Sequence, residues 1–302
     1  MRRGVGVLFC SVLLLGFRAA PALAQIGDVC DVDDICGVDR NDIALILAAR
    51  NTTASGPDDP RDADGDGIIT VLDARRCVLE CALPRCEGVL IGTITEDILR
   101  GGNPPGSDRG VESAAGNLAA DAQQWATSSN GAEIAFMNPG GVRSDLTYAA
   151  ASGEGDGVVT WCEAFTFQPF GNTLVTFPMT GAQIVSVLED QCQPAGLSRP
   201  FLHLGVSEGF TYDLSKTIVA GNCTSVTVSS VRLNGVALDP AATYMVTVNN
   251  FLADGGDNFA TFATIDPATR VDGGNDLEAL IDYFGAFSPI APPSIDRVNE
   301  LP

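Results

Sequence analysis

The spacing of hydrophobic and polar positions changes period several times along the chain. A first apolar run, Val5 to Phe17, follows Arg2 and Arg3 and is followed by Ala22-Leu23-Ala24. A basic start, a short apolar run and small residues where a signal peptidase reads mark an export leader, with cleavage expected after Ala24. Two short stretches, Ile43 to Ala49 and Val71 to Leu79, then place apolar residues at helical spacing. From Val89 the rhythm shifts. Val89 to Thr95, Ala132 to Met137, Thr173 to Phe177, Thr224 to Leu233 and Tyr244 to Val248 read as strands, interleaved with the helix-like GNLAADAQQWA at 116–126 and Asp276 to Phe284. This mixed order predicts an α+β domain. No later run reaches the roughly 20 apolar residues of a membrane-spanning helix.

Composition narrows the function. The chain has 302 residues, 45% of them hydrophobic, enough to bury a sizeable core. Its 38 acidic against 17 basic residues give a net charge of −21, which argues against binding nucleic acid or an anionic membrane. A single histidine, His203, lies in the apolar stretch Phe201 to Val206 and reads as a core residue. One imidazole is too few for most metallohydrolase sites, so no catalytic residue and no catalytic divalent metal is expected within this chain.

Setting aside Cys10 in the leader, eight cysteines are left, and in an exported protein these are read as disulfides. Cys30, Cys36, Cys77, Cys81 and Cys86 crowd the N-terminal part; Cys162, Cys192 and Cys223 are scattered beyond it. With five and three, either one bridge joins the two regions or each keeps a thiol. Zinc is disfavoured, since the cluster has no paired CxxC and no histidine.

The segment DADGDGIITVLD sets Asp62, Asp64 and Asp66 at positions one, three and five of a calcium-type loop. Gly67 takes the turn, Ile68 and Thr70 fall at positions seven and nine, Ile69 anchors the loop at eight, and Asp73 closes it at twelve. A hard cation wants this many oxygen donors from one short loop. Upstream, Asp31, Asp33 and Asp42 take positions one, three and twelve of a damaged copy, with Ile35 and Cys36 where a ligand and the glycine are wanted. Two such loops, each followed by a helix, resemble the dockerin module, here a small all-α unit over about 26–86. The resemblance implies calcium as cofactor and a cohesin-type protein as partner; a calcium-stapled spacer is the plainer alternative.

Four further elements are specific: ESAAGNLAADA at 112–122, MNPGGVR at 137–143, QPFGNTLV at 168–175 and NNFLADGGDNF at 249–259. Together, over about 88–287, they resemble the C-terminal domain of the 5'-nucleotidase family. That resemblance implies a nucleoside or nucleotide ligand, with Phe170 and Phe251 sandwiching the base and Asp257 accepting from the ribose hydroxyls. Arg143 and Asn138 would be polar contacts, Arg109 a second phosphate contact with Arg100 as its rival, and Asn172 a further contact or a turn residue.

Full-length members of that family place a two-metal phosphatase domain ahead of this one. Between the leader and residue 88 there is room only for the dockerin-like module, which a linker is expected to hold apart from the nucleoside site. The expected organisation is a leader at 1–24, the calcium module at 25–87, the α+β domain at 88–290 and a tail at 291–302. The expected protein is secreted or periplasmic and acts in nucleotide catabolism. It binds nucleotide and depends on a separate metallophosphatase for any hydrolysis; the alternative is a non-catalytic nucleoside-binding or calcium-dependent assembly module.

Overall fold

The computed structural model describes residues 30, 32, 40–57, 59–81, 90–150 and 154–301. The leader, most of the first calcium-type loop with Asp31 and Asp33, and Cys36 and Cys86 lie outside them. In the N-terminal part, α1 (Arg40–Ala48) leads through β1 (Thr52–Thr53) and β2 (Ile68–Ile69) into α2 (Val71–Cys81). Next come β3 (Leu90–Thr93), α3 (Ala114–Ala126), β4 (Ile134–Met137), β5 (Val158–Thr160), α4 (Trp161–Phe167), β6 (Thr173–Thr180) and α5 (Gly181–Glu189). The remainder runs β7 (Gly205–Val206), β8 (Phe210–Val219), β9 (Asn222–Leu233), β10 (Val236–Ala237), β11 (Thr243–Asn249), α6 (Asn250–Ala253), α7 (Ala260–Ala263), β12 (Val271–Asn275), α8 (Asp276–Phe287) and β13 (Val298–Glu300).

The helices start where the sequence caps them. Ser113 accepts from the Gly116 N–H ahead of α3, while Thr160 with Glu163 and Thr180 with Gln183 form reciprocal capping boxes at α4 and α5. A five-stranded sheet in the order β12-β6-β11-β4-β7 forms the centre, and a four-stranded sheet, β10-β9-β8-β13, stands beside it. In the central sheet β11 runs parallel to β4 and antiparallel to β6. The C-terminal ends of β4 and β11 and the N-terminal end of β6 therefore meet at one edge. Phe136, Phe177, Phe210, Phe259 and Phe262 are buried in the core shared by these sheets, with the Phe136 and Phe210 rings T-shaped at 5.4 Å. Full burial of one such ring contributes about 1.5–3 kcal/mol.

The N-terminal part differs from expectation in two ways. It is not wholly helical, because β1 and β2 pair antiparallel and tie the end of α1 to the second loop. Nor is it held away on a linker: Ile43, Ile46, Ile69, Cys77 and Val78 belong to one buried cluster with Trp161, Ala164 and Phe165 of α4. Apolar side chains on both surfaces leave water together, which makes docking favourable. The disulfides among the described residues, Cys30–Cys77 and Cys192–Cys223, each close within one region.

Residues 291–302 are more than a tail. β13 adds to β8 in parallel, and Arg297 just before it makes a buried, bidentate pair with Asp121 of α3 at 2.7 and 2.9 Å. The sequence Arg297-Val298-Asn299-Glu300 is too polar to read as core, but a paired guanidinium can be buried where an unpaired one cannot.

Candidate functional site

The edge where β4, β11 and β6 meet opens into a cleft of about 310 Å³. Its walls are Arg109, Asn138, Gly140, Gly141, Arg143, Phe170, Asn172, Phe251 and Asp257. All seven side chains singled out from the sequence for nucleoside contact are thus in one cavity, brought there from four separate segments. Loops leaving the carboxyl ends of adjacent strands commonly build such a crevice.

A chain of amides holds one wall. Asn249 caps α6 by accepting from the Leu252 N–H at 2.9 Å, and its Nδ2 donates to Asn138 Oδ1 at 3.1 Å. Asn138 Nδ2 in turn donates to Asp257 Oδ2 at 2.8 Å. Asp257 has a φ of 54°, a left-handed conformation that non-glycine residues adopt at a cost. Gly140 lets this wall close, since a Cβ there would stand 3.1 Å from both Arg109 Nη1 and Asp257 Oδ2.

Two arginines stand beside this wall. Burial lowers the pKa of Arg109 and of Arg143, and neighbouring guanidiniums add to it, Arg199 and Arg143 acting on Arg109 and Arg75 and Arg100 acting on Arg143. In a chain of net charge −21, cations gathered at one cleft focus a positive field there. Arg100, the rival to Arg109, is committed elsewhere: it pairs with Asp145 at 3.0 Å, and its Nη1 donates to the Arg143 carbonyl at 2.8 Å. The Arg109 backbone is fixed by His203, whose N–H donates to its carbonyl at 2.7 Å. The His203 ring is buried, shares Nδ1 with the Leu204 carbonyl at 2.9 Å, and burial pushes its pKa down to about 4. Neutral and enclosed, it acts as packing.

Phe251 is 44% exposed, with its ring laid against Gly256, where any Cβ would collide with it. Phe170 is half-buried, and the Arg143 guanidinium carbon lies 5.9 Å from its ring centroid. Two residues missed by sequence reasoning fix the loop that carries Phe170 and Asn172. Arg50, just past α1, donates Nη1 to the Gly171 carbonyl at 3.0 Å. Asp276, at the start of α8, accepts from Asn172 Nδ2 at 3.1 Å. Both contacts cross more than a hundred residues of chain, and no local motif announces either.

A second grouping lies in the N-terminal part. The carboxylates of Asp62, Asp64 and Asp66 converge within 4.8 Å of one another. Gly67 takes a φ of 89° at the turn and Ile69 is fully buried. The β1–β2 ladder takes up the carbonyls of Gly67 and Ile69, so that of Ile68 points away from β1. This all-oxygen donor set fits calcium. Asp73 stands outside the converging triplet: it is buried and accepts from Asp64 N–H at 3.1 Å and Thr70 N–H at 2.7 Å. Asp42, the matching residue of the first loop, is likewise buried and accepts from the Val32 N–H at 2.6 Å.

Residues 90–264 match the family model described as "5'-nucleotidase, C-terminal domain". The chain belongs to the 5'-nucleotidase C-terminal domain family. A cell wall protein of Listeria monocytogenes is 36% identical over 68% of this chain and 26% of its own length. The NAD 5'-nucleotidase of Haemophilus influenzae is 29% identical over 50% of this chain and 25% of its own length. Among solved structures, a 5'-nucleotidase precursor from Thermus thermophilus superposes with a TM-score of 0.57 at 30% identity, covering 78% of this chain and 44% of that one. The chain thus spans less than half the length of these relatives. No helix among the described residues is long and apolar enough to cross a membrane.

Proposed function

We propose that the cleft is the nucleoside- and nucleotide-binding site of an exported protein of nucleotide catabolism. The observation that carries this is the convergence of two partly exposed phenylalanines, a carboxylate and two arginines on one cavity. A purine or pyrimidine stacks on Phe170 and Phe251, with little dependence on its identity. Asp257, steadied by Asn138, accepts from vicinal ribose hydroxyls. Arg109 and Arg143 meet the phosphate, whose oxygens suit planar guanidinium donors.

The described residues do not fit a two-metal hydrolytic centre. Such a site needs several fixed ligands around both ions, and the one histidine is enclosed against a backbone carbonyl. Hydrolysis in this reading depends on a metallophosphatase outside residues 1–302, and the chain supplies recognition.

The N-terminal part is read as a dockerin-like module with Asp62, Asp64 and Asp66 as calcium ligands, joined by the Ile68 and Thr70 positions and Asp73. The first loop, with Asp31, Asp33 and Asp42, binds more weakly. Leu45, Ile68 and Leu72 are more than 40% exposed on this module, an apolar surface that favours a cohesin-type protein partner as its role.

Calorimetric titration of the purified mature protein with adenosine and AMP tests the cleft. Phe170→Ala and Phe251→Ala should each weaken adenosine binding about tenfold or more. Unchanged affinity in both folded variants sinks the stacking site.

A further inference from the structure

We propose that Asp276 is a specificity-determining residue of the cleft: through one buried hydrogen bond it sets which end of the Asn172 amide faces the nucleobase. The proposal rests on reading the cleft as a nucleoside site. Asn172 lines the cleft two residues after Phe170. Its Nδ2 donates to Asp276 Oδ2 at 3.1 Å, and the Asp276 N–H donates to the Asn172 carbonyl at 2.9 Å. The two residues are therefore clasped through both main chain and side chain. An ionised carboxylate can only accept, so the amide must turn its NH₂ toward it. The carbonyl oxygen of the amide, an acceptor, is the end offered to a ligand.

The carboxyl is poised to change this arrangement. Asp276 is 1% exposed, and its Oδ1 has no hydrogen-bond partner among the described residues. Burial pushes its pKa up to about 7 against the opposing hydrogen bonds from Asn172 and from backbone N–H groups. The elements packed on α8 are α3, β3, α4 and β12. Their ionisable side chains are Asp121, Cys162, Glu163 and Asp272, and α8 itself adds Glu278, Asp282 and Tyr283. None of these is a cation; the loop that faces Asp276 does carry Arg50 against it, with its Nη1 given to the Gly171 carbonyl at 3.0 Å.

Taking one proton from solvent turns the Asp276 carboxyl from acceptor to donor. The Asn172 amide then accepts through Oδ1 after half a turn about its terminal bond, and Nδ2 faces the cleft. With Asp276 ionised, the cleft favours a base edge carrying an exocyclic amine; with Asp276 protonated, it favours a carbonyl in the same place. A mismatched buried hydrogen-bonding group costs enough to change affinity about tenfold. Adenosine and inosine carry these two groups at one ring position in nearly the same shape.

The experiment is calorimetric affinity for adenosine and inosine at about pH 5.5 and about pH 8, values on either side of the titration. Wild type should prefer adenosine at the higher pH, and the ratio should shift toward inosine by about tenfold at the lower. Asp276→Asn, close to isosteric and uncharged, should give one ratio at both values. In labelled wild-type protein the Asn172 side-chain amide resonances should move with the same midpoint, a readout that needs no variant to fold. If both nucleosides bind wild type with a ratio indifferent to pH and the Asn172 amide does not titrate, Asp276 is only structural and the proposal is overturned. If neither nucleoside binds, the nucleoside reading of the cleft fails, and this proposal with it.

Discussion

The acidic loop at 62–73 and the arginine-lined cleft both gather like charges, and they hold them apart by opposite means. In the loop, the carboxylates are engaged by the chain's own N–H groups: Gly65 and Gly67 donate to Asp62, Asp66 to Asp64, and Ile68 to Asp66. The backbone serves as a provisional ligand shell. In the cleft, neither Arg109 nor Arg143 is in an ion pair among the described residues, and Arg143 Nη1 reaches only the Gly140 carbonyl at 3.3 Å. Its donors are left for something that arrives. The first site is built from partners two to nine residues apart; the second depends on contacts such as Asn138 with Asp257, 119 residues apart. A local site can form while the rest of the fold is incomplete, whereas the cleft exists only when the whole domain does.

The largest expected effect tests the loop. Calcium at a hundredfold excess over its dissociation constant should stabilise the folded module by about 2.7 kcal/mol, and a chelator should remove this. Asp64→Ala should abolish most of the shift in thermal melting. A melt indifferent to both would leave the loop as an acidic turn and end the contrast of ligand with ligand. Next is Arg143→Ala, which removes a charged donor from the cleft. AMP affinity should fall by about 1.5–3 kcal/mol, with adenosine affinity nearly unchanged. Equal losses for both ligands would mean that Arg143 supports Phe170 rather than phosphate. The smallest effect joins the two regions. Arg50→Ala removes the N-terminal anchor from Gly171 and should weaken adenosine by about 0.5–1.5 kcal/mol, the worth of one hydrogen bond. No change would make the two regions independent despite their packing.

Much of the cleft was legible because its residues sit in short motifs whose chemistry is local. Phe170 stands in QPFGN, Asp257 in GGD and Arg143 in GGVR; a Cβ at Gly256 would meet the Phe251 ring, and one at Gly140 would crowd Arg109 and Asp257. Arg50 and Asp276 were not legible. An arginine after a helix and an aspartate at a helix start look like surface residues until the fold brings the 170–172 loop against them. The inner strands of the central sheet, β6, β11 and β4, could be read from apolar runs, whereas its edge strands could not, since β12 is the polar VDGGN and β7 is two residues long. α4 and α5 carried their own signal in Thr160 with Glu163 and Thr180 with Gln183. β13 gave none, because its place depends on Asp121, 176 residues before Arg297.

That late pairing has a consequence for how the protein is made. As the chain leaves the ribosome, α3 emerges early with the Asp121 carboxylate already on its inner face. The guanidinium that neutralises it appears only 176 residues later. Until it does, the sheet ending at β8 has an open edge and α3 carries a charge it cannot bury. Domains generally fold as units during synthesis, and this one waits for Arg297 and β13 before it can close. A nascent chain stalled before Arg297 and β13 have emerged should therefore engage chaperones or proteases as an unfinished domain.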